Sequence, residues 1–141
     1  ALAAGGRVIG VIPQRLDERE IAHRNLTELH VVGSMHERKA LMAHLSDAFL
    51  ALPGGFGTLE EFCEAVTWTQ LGIHDKPCGL LNVAGYFDPL IAMFDRCVAT
   101  GFVALETRTI VRSAASAEAI VDALIAPLTV PARPRLSEEQ I

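Results

Sequence analysis

The chain has 141 residues, of which 50% are apolar and 21% charged, and its formal net charge is −5. This excludes a disordered chain, which needs low hydrophobicity and high net charge, and a disulfide-dependent miniprotein, since about two thirds of the unfolded surface can be buried at this length. Only two lysines occur, Lys39 and Lys76, and no basic run, so nucleic-acid binding, which rests on clustered cations, is not expected.

The first residues read ALAAGG, helix formers followed by glycine, which is how a helix ends. A helix ending at residue 4 has no visible beginning, so the expectation is that the sequence starts inside a larger domain. Residues 7–12 (RVIGVI) form a short β-branched run and read as a buried strand stopped by Pro13. Residues 14–27 are a long polar connection, of the kind that is functional or carries a short helix. Residues 28–32 (ELHVV) are a second strand. A helix follows over 35–46, with Ser34 and Glu37 in capping-box spacing.

Residues 47–52 (DAFLAL) are a third strand, 53–57 (PGGFG) a glycine-rich turn, and 58–71 a helix stopped near Gly72. A fourth strand is expected over 77–82, a helix over 89–100 and an edge strand over 107–112. The last helix covers 116–126, and residues 127–141 form a proline-rich tail. Strands alternating with helices mean βα units and a parallel sheet. The fold class is therefore α/β, a three-layer Rossmann-like sandwich with a mainly parallel sheet, as one domain over 1–126.

Mean hydropathy is +0.31, yet no apolar run approaches the roughly 20 residues that cross a bilayer. The excess reads as a sheet covered on both faces or as a buried subunit interface. Cys63, Cys78 and Cys97 lack CxxC spacing and read as small core residues of a reduced, cytoplasmic protein. The five histidines show no ligand spacing, so no metal is expected.

The strongest signal is LPGGFGTLEE at 52–61. A buried strand runs through glycines into a helix start, where open α/β sheets bind ligands. Free N–H groups and a partial positive charge at that start attract phosphate. Gly54, Gly55 and Gly57 let an anion approach, and Thr58 adds a hydroxyl donor. The alternative is a tight turn that binds nothing. Glu61 has two readings. Thr58-x-x-Glu61 is itself capping-box spacing, in which Glu61 folds back on the backbone; otherwise Glu61 faces a pocket over the glycines.

Arg38 also has two readings. At about 100° per residue it falls among Met35, Leu41, Met42 and Leu45, whereas a solvated arginine belongs on the other face. It is either a structural ion pair or snorkelling stem, or a functional arginine that meets a carboxylate or substrate. On the helix after the glycines, Leu59, Phe62, Cys63 and Val66 form a core stripe. Trp68 and Leu71 lie with Glu61 and Glu64 on a second stripe, packed against another subunit or a neighbouring helix.

Three segments together carry a resemblance: SMHERKA at 34–40, LPGGFGTLEE at 52–61 and QLGIHDKP at 70–77. The chain resembles the LOG ("lonely guy") family from residue 7 to about 126. These are cytokinin riboside 5'-monophosphate phosphoribohydrolases, often labelled lysine decarboxylases. The resemblance implies a Rossmann-like fold and hydrolysis of the N-glycosidic bond of an N6-modified adenosine monophosphate. It implies Arg38 and Glu61 as catalytic residues and Gly54, Gly55, Gly57 and Thr58 as the phosphate loop. Met35, Lys39 and Glu60 are supporting candidates. It implies no cofactor, a nucleoside 5'-monophosphate as substrate, and a homodimer or larger homo-oligomer with Trp68 at the interface. Family members carry an additional N-terminal portion that this sequence does not contain. The rival readings are a non-catalytic nucleotide carrier and a plain AMP nucleosidase. A pyridoxal-dependent decarboxylase would need a Schiff-base lysine, and neither Lys39 nor Lys76 sits in a recognisable cofactor motif.

Overall fold

The computed structural model describes residues 1–17 and 25–128. They fall in two compact units, Ala1–Ser46 and Asp47–Ile141. His23, which reads as an exposed loop histidine with a pocket residue as the alternative, and the proline-rich tail beyond residue 128 lie outside the described residues.

The first unit opens on a single 3-10 turn, Leu2–Ala4, closed by Gly5 in the left-handed region at φ 75°. Strand β1 (Ile9–Pro13) leads into a one-turn helix, α1 (Gln14–Asp17). Strand β2 (Glu28–Val32) and helix α2 (Met35–Leu45) follow. The two strands pair in parallel, from Ile9 opposite Glu28 to Pro13 opposite Val32. Pro13 is thus the last residue of β1 rather than the residue that stops it. Proline lacks an N–H, and a strand end tolerates that loss. At the outer end of the ladder Arg7 donates to Glu28 at 2.6 Å, and His30 lies 2.8 Å from the same carboxylate. The Arg7 hydrogen bond holds the Glu28 carboxyl below its usual range.

The second unit contains β3 (Phe49–Ala51), α3 (Phe56–Leu71), β4 (Cys78–Leu81), α4 (Asp88–Ala99), α5 (Leu105–Arg108), β5 (Val111–Ala114) and α6 (Ala117–Ile125). Its sheet runs β3-β4-β5 with parallel pairing throughout, as expected. Side-chain alternation along β4 builds three layers. Cys78 and Leu80 are fully buried in one cluster with Phe62 and Ala65 of α3, Phe87 and Ile110, and α4 adds Leu90, Ile91 and Phe94. Gly79 turns to the opposite face, where an added Cβ would lie 3.1 Å from both Ile120 and Leu124 of α6. Helices therefore cover both faces of β4, and the α/β class with parallel strands is what the alternation of elements implied.

The expected edge strand over 107–112 is corrected. Residues 105–108 are helical and the strand starts at Val111. Thr107 and Thr109 are β-branched and look strand-like, but Thr109 donates its hydroxyl to the Glu106 carbonyl at 2.6 Å. Such a local side-chain bond competes with a ladder and favours a turn. Arg112 of β5 reaches under α6 and donates to the carbonyl oxygens of Ala123, Ala126 (2.7 Å) and Pro127 (2.9 Å). A cation there complements the negative end of the helix dipole.

Two core assignments also change. Cys78 is buried, but Cys63 is exposed and Cys97 half-buried. The buried stripe of α3 is Phe62, Ala65 and Thr69, which are one helical face three and four residues apart, so Cys63 turns away from it. No described helix is long and apolar enough to cross a membrane.

Candidate active site

Strand β3 ends at Ala51 and the chain turns through Pro53, Gly54 and Gly55 into α3. The helix begins at Phe56, two residues earlier than its sequence pattern suggests. Gly55 is its N-cap, with extended backbone (φ −88°, ψ −154°) and no side-chain capping bond. The first intrahelical hydrogen bond runs from the Leu59 N–H to the Gly55 carbonyl at 3.1 Å. The N–H groups of Phe56, Gly57 and Thr58 therefore have no helical acceptor, and the glycine N-cap contributes no side chain to the positive end of the helix dipole.

The glycines serve this start in different ways. An added Cβ at Gly54 would lie 2.3 Å from Thr58 Oγ1 and 3.0 Å from Thr58 Cβ, so rotating the threonine would not clear it. Gly54 is needed because the loop folds back onto Thr58. At Gly55 and Gly57 a Cβ would meet nothing within 4 Å. There the missing side chains leave open space in front of the helix start.

The early helix start bears on the capping-box reading of Glu61. Thr58 is the third residue of α3 rather than its N-cap, so Thr58-x-x-Glu61 is not a capping box despite its spacing. Glu61 lies one turn further along and is half-buried, whereas Glu60 is exposed.

A contact not legible in the motif holds the loop. Tyr86, in the connection after β4, donates its hydroxyl to the Gly54 carbonyl at 2.7 Å. Neighbouring parallel strands bring their following connections together at one end of the sheet. Strand order alone could have pointed there, but nothing in the spacing singled out Tyr86.

In the first unit, Ser34 caps α2, its hydroxyl accepting the Glu37 N–H at 3.1 Å. Glu37 reaches back to the Gly33 N–H at 2.8 Å, one residue before the position the capping box assigns. Arg38 follows within the first turn, half-buried, with its Nε shielded from solvent. The expected apolar arc is corrected. Ala43 is the fully buried residue, and Arg38, Lys39, Leu41 and Met42 are half-buried around it. Met35 and Leu45 remain 45% and 43% exposed.

The far end of α3 carries a second polar constellation. His74 stacks on Phe49 (ring centroids 5.1 Å apart) and meets Trp68 edge-on at 6.2 Å. Its Nδ1 accepts the Lys76 N–H at 3.3 Å and lies 3.2 Å from the buried Thr69 hydroxyl. Its Nε2 is buried without a hydrogen-bond partner. Burial, with Lys76 nearby, pushes its pKa down to about 4, against a smaller opposing effect of Asp75. Trp68 thus has a partner within its own chain. Among the described residues no group of three or more His, Cys, Asp or Glu side chains is placed to hold a metal ion.

Parallel α/β units with a glycine loop leading from a strand into a helix describe the class of Rossmann-like α/β proteins. Within that class the chain belongs to the family described as "Possible lysine decarboxylase", whose model matches residues 1–124. It is similar to a cytokinin riboside 5'-monophosphate phosphoribohydrolase of Arabidopsis thaliana, 54% identical over 125 residues, covering 88% of this chain and 59% of the relative. A second Arabidopsis thaliana protein of that name is 53% identical over 125 residues, 88% of this chain and 58% of the relative. One from Oryza sativa subsp. japonica is 53% identical over 122 residues, 86% of this chain and 50% of the relative. The chain spans little more than half the length of the curated relatives it matches. The family's description and the relatives' names refer to different reactions.

Proposed function

We propose that the protein to which this chain belongs is a cytokinin riboside 5'-monophosphate phosphoribohydrolase. Water adds across the C1'–N9 bond of an N6-modified adenosine monophosphate. Hydroxyl goes to C1', the proton to the departing base, and the products are free base and ribose 5-phosphate. The observation that carries this reading is the start of α3, where Gly55 brings no capping side chain and an added Cβ at Gly55 or Gly57 would meet nothing within 4 Å. A phosphate fits there because its charge meets both the amides and the helix dipole.

Glu61 is assigned the chemistry. Breaking a glycosidic bond builds positive charge on the ribose, as in glycoside hydrolysis. A carboxylate beneath the sugar stabilises that charge and takes a proton from the attacking water. Arg38 is assigned as the second catalytic residue, with Lys39, Met35 and Glu60 as supporting candidates. The decarboxylase description finds less support, since neither Lys39 nor Lys76 belongs to a recognisable cofactor motif. The protein acts in the cytoplasm as a homodimer or larger homo-oligomer, and Leu71, 38% exposed on α3, is part of the surface this would cover.

The test is chromatography of products from an N6-prenyl adenosine 5'-monophosphate incubated with full-length protein. Base and ribose 5-phosphate are expected in equal amounts. Equal rates for wild type and Glu61→Gln would overturn the assigned mechanism. Light scattering of the same preparation checks the oligomer.

A further inference from the structure

We infer that Tyr86 is a positioning residue of the phosphate loop, an inference that rests on the hydrolase reading above. Its hydroxyl donates to the carbonyl of Gly54, the residue that turns β3 toward α3. Gly54 and Gly55 have no side chains of their own to fix the turn, and a glycine pair has many accessible conformations. Thr58 limits the loop from one side, 2.3 Å from where a Gly54 Cβ would be. Tyr86 fixes the carbonyl itself. That bond also engages an acceptor whose partial negative charge lies next to the amides that would receive a phosphate.

The connection that presents Tyr86 is built to hold one shape. The Asn82 side chain accepts the Phe87 N–H at 2.7 Å and donates to Asp88 Oδ1 at 2.7 Å. The Asn82 N–H reaches across to the Ala114 carbonyl at 2.8 Å. Phe87 is 1% exposed, and the Tyr86 ring meets it edge-on at 5.0 Å. Between these anchors Ala84 has φ 51° and Gly85 φ 71°. A left-handed alanine is disfavoured and persists only where its surroundings determine it, a pattern that clusters at functional sites. At Gly85 an added Cβ would lie 2.5 Å from Asp88 Oδ2, so the turn also requires glycine. The tyrosine itself stays 51% exposed, which core packing does not explain.

A group that organises a binding loop without touching the reacting atoms acts on affinity through preorganisation. Removing the hydroxyl should weaken ground-state and transition-state binding of the phosphate alike, so KM rises and kcat stays. The experiment is Tyr86→Phe in full-length protein, with turnover of an N6-prenyl adenosine 5'-monophosphate and calorimetry of AMP binding. The expected result is an AMP Kd and a KM raised about three- to tenfold, the worth of one hydrogen bond, with kcat within about twofold. A wild type that binds and turns over, beside a Phe variant with unchanged KM and Kd, overturns this inference and leaves the hydrolase reading intact. A wild type that neither binds AMP nor releases base overturns both. If the Phe variant does not fold, Asp88→Ala removes the acceptor of the Asn82 amide, loosens the same connection and keeps the hydroxyl. A rise in KM alone then supports the inference, and an unchanged KM overturns it.

Discussion

Helices α2 and α3 both begin with a hydroxyl residue followed three positions later by glutamate, and they begin differently. At α2 the spacing is a cap: Ser34 takes the Glu37 N–H, and Glu37 takes the Gly33 N–H. At α3 the same spacing sits inside the helix, because Gly55, three residues before Thr58, is its N-cap. One helix start is closed by its own side chains, and the other has a glycine N-cap with no side chain to close it. A spacing motif therefore specifies a cap only when the backbone before its hydroxyl residue is not already helical.

The largest expected effect falls on Glu61. Glu61→Gln should lower kcat by about 10²- to 10⁴-fold, the usual worth of a general base, with an almost unchanged melting temperature. A large loss of stability would instead make Glu61 structural and erase the contrast between the helices. Next is Gly54→Ala, where the clash with Thr58 should cost about 1–3 kcal/mol, as overpacking does. Chemical denaturation reads the loss, and AMP affinity should fall with it. Ser34→Ala should cost about 1 kcal/mol, since it removes a true cap. Thr58→Ala should cost less than Ser34→Ala, since it removes no N-cap and only shortens a side chain, and should act on AMP affinity instead. Equal stability losses for Ser34→Ala and Thr58→Ala would mean that both hydroxyls cap.

An effect confined to acid pH concerns the other end of α3. His74 is held neutral in the folded protein, with a pKa near 4 against an ordinary value of 6.5. Between those values the unfolded chain binds more protons, so stability falls as pH drops from about 6.5 to about 4 and levels off below. The loss should be on the order of 1 kcal/mol once partial solvent screening is allowed for. His74→Phe should flatten this part of the pH–stability curve, and a curve unchanged by that substitution would contradict the assignment.

The sequence carried the alternation of elements, the parallel pairing it implies, the Ser34 cap and the glycine loop, because each is a local pattern with a local cause. It did not carry the start of α3. Threonine is the better capping residue by propensity, and the earlier start depends on how β3 delivers the chain through Gly54 onto Thr58. The faces of α2 and α3 were displaced for a related reason. Hydrophobicity pointed to Met35 and Cys63, whereas packing chose Ala43 and Ala65, small side chains that let a helix approach its neighbours. Tyr86 and His74 were illegible for another reason. Each acts through contacts fixed by strand order or by a connecting segment, and neither leaves a spacing signature.

The central claim is that the open start of α3 receives the substrate phosphate. Amide NMR of isotope-labelled full-length protein, titrated in parallel with AMP and with adenosine, tests it most directly. The N–H resonances of Gly55, Phe56, Gly57 and Thr58 should shift saturably with AMP and stay in place with adenosine. AMP binding that leaves those four amides unmoved, or adenosine shifting them as far as AMP does, would contradict the account.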